Sequence, residues 1–542
     1  MIRNAPVNPW HLVFWVMLLV CGCAATVHGA PPILQRYTRA LALRQSQQCD
    51  LTEPLRLRSL ADQAFRMGFK QQAHIYLTQA IQLLEEMRAC PGTAPVGGPQ
   101  TRGGWPDRKQ SVQTNPCRTL ELAVPSDRVR VIQTIPGKVA PPSDDVLAHF
   151  TVMEQAVEDG RVTFSVCAPL LVEAAPFSPM TFTQNKAIGA TAAGQVLPAL
   201  SELSPQEQDA RESKILDYIA QAGVGIARDF QSYGTRRFII EPRLGSYDFA
   251  HADMAVKAAN AWGIDYIGRI SPHYGDIRKE GPPADESAYL AYVRKLVGHF
   301  KGRIHYWQVL KEPSPQRRGR RMDNEANLSP QQAAHLLQIT YRQIKEIDPD
   351  AVVIFPGMGP EFKNSNWTVK SYLEAMVAAG AAEGFDVLGY EAYVFDVEAN
   401  ARLLRDILAR HGQSKPLWLV QTGVPDGPTP LGIHFRGGGS DKAQASFMLP
   451  EFAKAFSSSV EKVFWGEFVD KSQAEQRHGN PFSRTWDKTG LFRVGTWTRK
   501  PGYFTLRLLA TALNGFTAAE RLTHNIAKFS FADRSPIYAV WP

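Results

Sequence analysis

IHYWQVL, residues 304–310, followed at once by Lys311, Glu312 and Pro313, is a short apolar run that stops on charge and a turn former. Seven more runs of this kind lie around it: AIGATA from 187, VGIARDF from 224, IDYIGRI from 264, AVVIFP from 351, FDVLGY from 385, PLWLVQ from 416 and EKVFWGEF from 461. Runs of this length, rich in β-branched and aromatic residues, are the pattern of strands buried on both faces. Between them stand amphipathic segments such as SAYLAYVRKLVGHF (287–300) and SPQQAAHLLQITYRQIKEI (329–347), and GYFTLRLLATAL (502–513) follows the last run. Eight strand–helix units in series predict an α/β fold, a (β/α)8 TIM barrel over residues 181–516. A doubly wound sheet is the alternative.

The 542 residues are 44% hydrophobic and 21% charged, an ordinary folding composition that excludes a disordered or collagenous chain. With 60 Lys+Arg against 52 Asp+Glu the formal charge is +8, without the long basic runs of a nucleic-acid tail. Nucleic acid is therefore not expected as a partner. Leu12 to Val27 form an apolar run behind Arg3, with small residues at Gly29 and Ala30, so residues 1–30 read as a secretory signal. Val20-Cys21-Gly22-Cys23 offers a second ending, a lipobox in which Cys23 is acylated. Both predict an exported protein, either periplasmic, an outer-membrane lipoprotein, or secreted.

Export places Cys49, Cys90, Cys117 and Cys167 in an oxidising compartment, where an even set favours disulfides over a metal. Residues 31–90 read as a helical hairpin: Leu60, Ala64 and Met67, a break at Gly68, then Ala73, Leu77, Ala80, Ile81 and Leu84. Antiparallel packing brings Cys49 and Cys90 together at its open end, leaving Cys117 to pair with Cys167. The Pro-, Gly- and Thr-rich stretch 91–116 is a linker. Residues 117–180 alternate (RVRVIQTI, RVTFSVCAPLL) as a small strand-rich module, and 517–542 (ending IAKFSFADRSPIYAVWP) add strands outside the barrel.

In such a barrel the working residues sit where strands end. Those ends carry Arg228 and Asp229, Arg269 and His273, Lys311 and Glu312, Glu391 and Tyr393, Gln421, and Trp465 with Glu467. Carboxylates, cations and aromatics at one rim suit a sugar site, because rings stack on pyranose faces while charged groups handle hydroxyls and proton transfer. Arg317, Arg318, Arg320 and Arg321 follow Glu312 closely, and with Lys311, Arg228 and Arg269 they point to an anionic glycan, since guanidinium groups bind carboxylates bidentately. No phosphate loop, zinc spacing or nucleophile elbow is present, so no cofactor or metal is expected. RGGGSD (436–441) reads as a loop able to close over a ligand.

Residues 187–516 resemble clan A glycoside hydrolases, most closely the family 39 group of β-xylosidases and α-L-iduronidases. The resemblance rests on YWQVLKEPS (306–314), IARDFQSY (226–233), PRLGSYDFAHADMAVKAANAWGI (242–264), FDVLGYEAY (385–393), PLWLVQTGV (416–424) and VFWGEF (463–468), in that order along one barrel. It implies that Glu312 is the general acid/base, that Arg228 orients the nucleophile, that Tyr393 persists at the site, and that Trp465 is the platform beneath the sugar. It also exposes three departures. The family's nucleophilic Glu is Gln421 here, its Asn before the acid/base is Lys311, and a strand-6 His is replaced at Glu391. An amide supplies neither a nucleophilic oxygen nor negative charge, so the retaining mechanism is absent unless another carboxylate has taken over. Glu391 and Glu467 are the candidates for that role, and Glu391 is equally readable as an ion-pair partner of Lys311 or Arg228. The alternatives are a glycan-binding relic without catalysis and an envelope scaffold.

Overall fold

A computed structural model describes residues 32–46, scattered positions between 61 and 85, and then 117–191 (except 138), 204–228, 234–274, 281–314, 327–357, 369–393, 396–427, 439–470 and 488–542 (except 494). The chain divides into two compact units, residues 1–108 and 109–542.

In the first unit a helix at Pro32–Ser46, beyond the two helices expected there, contributes Tyr37 to a small apolar cluster with Ala61, Leu77, Ala80, Ile81 and Leu84. Arg36 and Glu85 pair at its surface, at 2.6 and 2.7 Å. Cys23, Cys49 and Cys90 lie outside the described residues.

The second unit begins with five strands: β1 (Arg118–Ala123), β2 (Arg128–Gln133), β3 (Val152–Ala156), β4 (Arg161–Val166) and β5 (Leu170–Ala174). Eight parallel strands follow: β6 (Asn185–Thr191), β7 (Val224–Arg228), β8 (Asp265–Ile270), β9 (Tyr306–Val309), β10 (Val352–Ile354), β11 (Leu388–Glu391), β12 (Leu417–Thr422) and β13 (Val460–Trp465). Their order is β10-β9-β8-β7-β6-β13-β12-β11, and a parallel bridge between Ile354 and Val387 joins the two ends. That closure makes the sheet a (β/α)8 barrel and excludes the doubly wound alternative. The expected strand runs fall on these eight elements.

The helices start where the sequence supplies donors' partners. Ser204 and Ser329 each form a capping box, with Glu207 and Gln332 respectively, and a proline follows each in the first turn. Asp285, Asp396 and Ser440 cap three more. The barrel lumen is filled by Ile226, Ile267, Ile354, Val387, Trp418, Val420 and Phe464. Gly189 makes room there, since a Cβ on it would lie 2.2 Å from the Phe464 ring. Burying one such side chain is worth about 1.5–3 kcal/mol.

Two short strands, β14 (Phe492–Arg493) and β15 (Thr498–Arg499), pair with each other after the barrel. The chain then ends in β16 (Phe516–Thr523), β17 (Ile526–Phe531) and β18 (Ile537–Val540). Expected from sequence as a segment apart from the strand-rich module, these strands instead complete it. One six-stranded sheet runs β16-β17-β18-β5-β2-β3, with β18 antiparallel to β5. One face of this sheet packs Val129, Val131, Val172 and Tyr538 on Val162, Phe164 and Val166 of β4, which is joined to β1 as a separate two-stranded sheet. The other face, through Leu171, Ile537 and Ala539, joins the main core with the barrel helices. The expected Cys117–Cys167 disulfide closes the β1/β4 pair one residue beyond the Arg118/Val166 register. Among the described residues no helix is long and apolar enough to cross a membrane.

Candidate functional site

Strand periodicity sets the site's floor. Side chains two residues apart share a face, so the apolar lumen residues Ile226 and Ile267 place Arg228 and Arg269 one layer higher on the lumen side, and Tyr306 does the same for Gln308. All three of those polar residues are fully buried. A buried guanidinium is costly unless each donor is used. Arg228 meets the requirement across the barrel. Its Nε donates to Gln308 Oε1 at 2.7 Å, its Nη1 to Gln421 Oε1 at 3.0 Å and the Val420 carbonyl at 3.3 Å, and its Nη2 to Glu391 Oε1 at 3.1 Å. Burial pulls the guanidinium below its ordinary pKa, Glu391 opposes that shift and Arg269 reinforces it.

Gln421 reaches this position through an irregularity. In the β11/β12 pairing Tyr390 faces Leu419 but Glu391 faces Gln421, so Val420 is an extra residue on β12. A bulge of this kind re-aims the side chain after it. Val420 belongs to the lumen cluster and yet Gln421, its neighbour, also bonds inside the barrel.

The end of β9 is built differently. Leu310 and Glu312 both hold positive φ, +65° and +42°, which costs an L-residue with a side chain on the order of 1–3 kcal/mol. Three hydrogen bonds pin the segment: Leu310 N to Ile270 O at 2.9 Å, Gln308 Nε2 to Leu310 O at 2.9 Å and Glu312 N to Gly357 O at 3.1 Å. Gln308 thus links the strained turn to Arg228. Lys311 and Glu312 are themselves buried.

Tyr393, half-buried just past β11, reports which groups converge. Burial pushes its phenol well above the ordinary value, and Glu391, Glu467 and Glu312 add to that shift while Arg228 opposes it. Three carboxylates and one guanidinium therefore act on one hydroxyl, which stays a proton donor at neutral pH. Glu467 is buried and its backbone N–H donates to Thr489 Oγ1 at 3.2 Å.

Other expected residues lie elsewhere. Trp465 is 0% exposed, packs edge-on against Phe447, and donates its indole N–H to the Thr489 carbonyl at 3.1 Å. The sugar-platform role expected of it has no open ring face to act through, because the indole is absorbed into the packing between β13 and its flanking helix. His273 sits half-buried past β8, next to Pro272, whose carbonyl accepts from Arg237 Nη1 at 2.9 Å. Asp229 and the arginines at 317, 318, 320 and 321 lie outside the described residues.

Sequence alone does not single out Gln308, Arg236 and Arg237, or a second charged cluster near the ends of β12 and β13. There Lys500 Nζ lies 2.9 Å from Asp426 and 2.7 Å from Asp470, while Arg493 reaches Asp426 at 3.5 Å and Asp441 at 2.6 Å. Burial pushes Asp470 up to about 6 against the opposing pull of Lys500. The polar Gln308 inside an otherwise apolar run was the one available signal. Among the described residues no His, Cys, Asp and Glu group could hold a metal ion.

No protein-family model matches the chain, and no curated protein matches it. Solved structures do. The chain is similar to a family 39 glycoside hydrolase from Bacteroides cellulosilyticus, at 13% identity and a TM-score of 0.49 over 79% of this chain and 89% of that one. It is similar to a glucosidase from Croceicoccus marinus, at 17% identity and a TM-score of 0.46 over 65% and 73% of the two chains. Xylanase 10B from Thermotoga petrophila, solved with xylobiose, matches at 18% identity and a TM-score of 0.41 over 60% and 94%.

Proposed function

We propose that this chain is an exported glycoside hydrolase acting on a polysaccharide, with Glu312 as the general acid/base. The observation that carries the reading is the polar layer above the lumen. One buried guanidinium ties Gln308, Gln421 and Glu391 together, and Tyr393 lies within the field of Glu312, Glu391 and Glu467. Two carboxyl groups flanking a glycosidic bond are what its hydrolysis needs, one to protonate the leaving oxygen and one to oppose the positive charge on the ring. The arginines that follow Glu312 in the sequence, at 317, 318, 320 and 321, favour an anionic, uronic-acid-containing polymer over a neutral one. The Cys117–Cys167 disulfide supports an oxidising compartment, in keeping with the leader at residues 1–30 or acylation at Cys23.

A second reading is favoured by one residue. Gln421 spends its carbonyl on Arg228 and carries no charge, which suits a protein that grips a glycan without cutting it. Reducing-end release from neutral and uronic-acid polysaccharides, run beside affinity gels of the same polymers, separates the two. Turnover that disappears in Glu312→Gln supports hydrolysis, and turnover that survives it removes Glu312 from its role. Retardation without turnover makes the protein a glycan binder. Neither signal favours an envelope scaffold.

A further inference from the structure

We propose that Glu391 is the second carboxylate of the site, acting with Glu312; the assignment rests on the hydrolytic reading above. Glu391 ends β11 in register with Gln421 on β12, and both side chains are held by the same guanidinium. The hold is one-sided. Oε1 of Glu391 takes the Arg228 Nη2 donor at 3.1 Å, whereas Oε2 makes no hydrogen bond among the described residues. One oxygen is fixed and the other is left for a substrate, the arrangement a preorganised anion requires. Arg228 cannot swing away with it, because its other nitrogens are bonded to Gln308, Gln421 and the Val420 carbonyl.

Gly357 connects this pair to Glu312. A Cβ there would lie 3.1 Å from Glu391 Oε1 and 3.3 Å from Arg228 Nη2, while the Gly357 carbonyl accepts from the Glu312 backbone at 3.1 Å. The end of β10 thus sets the spacing between the strained Glu312 turn and the Glu391–Arg228 pair. Glu467, by contrast, stands on the far side of β12, beyond β13, with its backbone tied to Thr489.

In the step this implies, the Glu312 carboxylic acid gives its proton to the leaving oxygen as the bond from that oxygen to the anomeric carbon breaks, the electron pair going with the oxygen. Oε2 of Glu391 faces the positive charge that develops on the sugar ring. A water oxygen then bonds to the anomeric carbon, and the proton it releases returns to the Glu312 carboxylate.

The test uses the full mature chain on xylan, polygalacturonate and alginate, with reducing-end release and affinity gels read in parallel. Glu391→Gln is expected to lose turnover about 100-fold or more, the scale of removing a group that meets transition-state charge, with retardation by the polymer kept. Turnover by Glu391→Gln within tenfold of the wild type overturns the assignment. Where Glu391→Gln fails to fold, Glu391→Asp keeps the charge for Arg228 and withdraws the oxygens by one methylene. It is expected to lose turnover by about 100-fold with an unchanged Tm, because misplacement by an ångström has that effect, and unchanged turnover overturns the proposal. A wild type that cleaves none of the three polymers overturns the hydrolytic reading and this assignment with it; a failure of Glu391 alone leaves the wild type active.

Discussion

Glu391 and Gln421 face each other in register on adjacent barrel strands, and Arg228 holds one side-chain oxygen of each, at 3.1 and 3.0 Å. A single buried cation therefore organises an anion and a neutral amide side by side. The energetic consequence is asymmetric. A buried pair contributes little net stability, but removing one partner strands the other's charge away from water.

Arg228→Met should therefore destabilise the chain by about 3–5 kcal/mol, because it leaves Glu391 unpaired by a guanidinium and Gln308 and Gln421 without a donor. Adding Glu391→Gln to Arg228→Met should recover part of that loss, since the carboxylate charge that Arg228 had balanced is then removed as well. Urea unfolding of the two single variants and the double variant closes the cycle. Additive losses would show that the two side chains do not depend on each other.

The Asp426–Lys500–Asp470 cluster carries a pH prediction. Asp470 is pushed up to about 6 from an ordinary 3.8, chiefly by burial. The folded state thus binds a proton at a higher pH than the unfolded chain, so this group's contribution to stability is fully present below about pH 4 and is lost as pH rises through about 6. At roughly 1.4 kcal/mol per pKa unit the swing is on the order of 2–3 kcal/mol. Asp470→Asn removes it. Unfolding free energies of wild type and variant should diverge between pH 4 and pH 7 in the variant's favour, and parallel curves would dispose of the idea.

The eight barrel strands are legible in the sequence because each is a short apolar run closed by a turn former, a signal that needs no knowledge of partners. Arg228, Glu312 and Glu391 are legible for the same reason, as charges that end such runs. The direction Gln421 takes is not, because it depends on Val420 being an extra residue against β11, a property of the pairing and not of β12 itself. Nor is the union of β18 with β5, which joins Ile537 to Glu173 across most of the barrel. Trp465 marks the limit of resemblance. Its position on the strand was readable, but its enclosure depends on Phe447 and Thr489, which arrive from segments distant in sequence.

The disulfide makes a prediction about the strand-rich module. Cys117 and Cys167 are 50 residues apart, and closing a loop of that size restricts the unfolded chain by about 4 kcal/mol in the chain-entropy estimate. Cys117→Ser/Cys167→Ser should lower the denaturant midpoint accordingly. Reductant should shift the wild type to the same midpoint and leave the variant where it is. A wild type indifferent to reductant would mean that the bond adds nothing to the fold.

Trp465 separates a packing role from a binding one. Its indole is fully enclosed and its N–H satisfies the Thr489 carbonyl, the same residue whose hydroxyl accepts from the Glu467 backbone. Truncation to Ala empties a large cavity, which typically costs about 3–5 kcal/mol. Trp465→Phe keeps most of the volume and removes one of the two donors to the Thr489 carbonyl, the other being Gln444 Nε2 at 3.2 Å, a loss of about 0.5–1.5 kcal/mol. Both variants should therefore melt earlier than the wild type, Ala more than Phe. Below the melting temperature of Trp465→Phe, its retardation in an affinity gel should equal that of the wild type, because no ring face was available to a sugar. A variant that melts normally and binds the polymer less well would restore the platform role that the resemblance implies for Trp465.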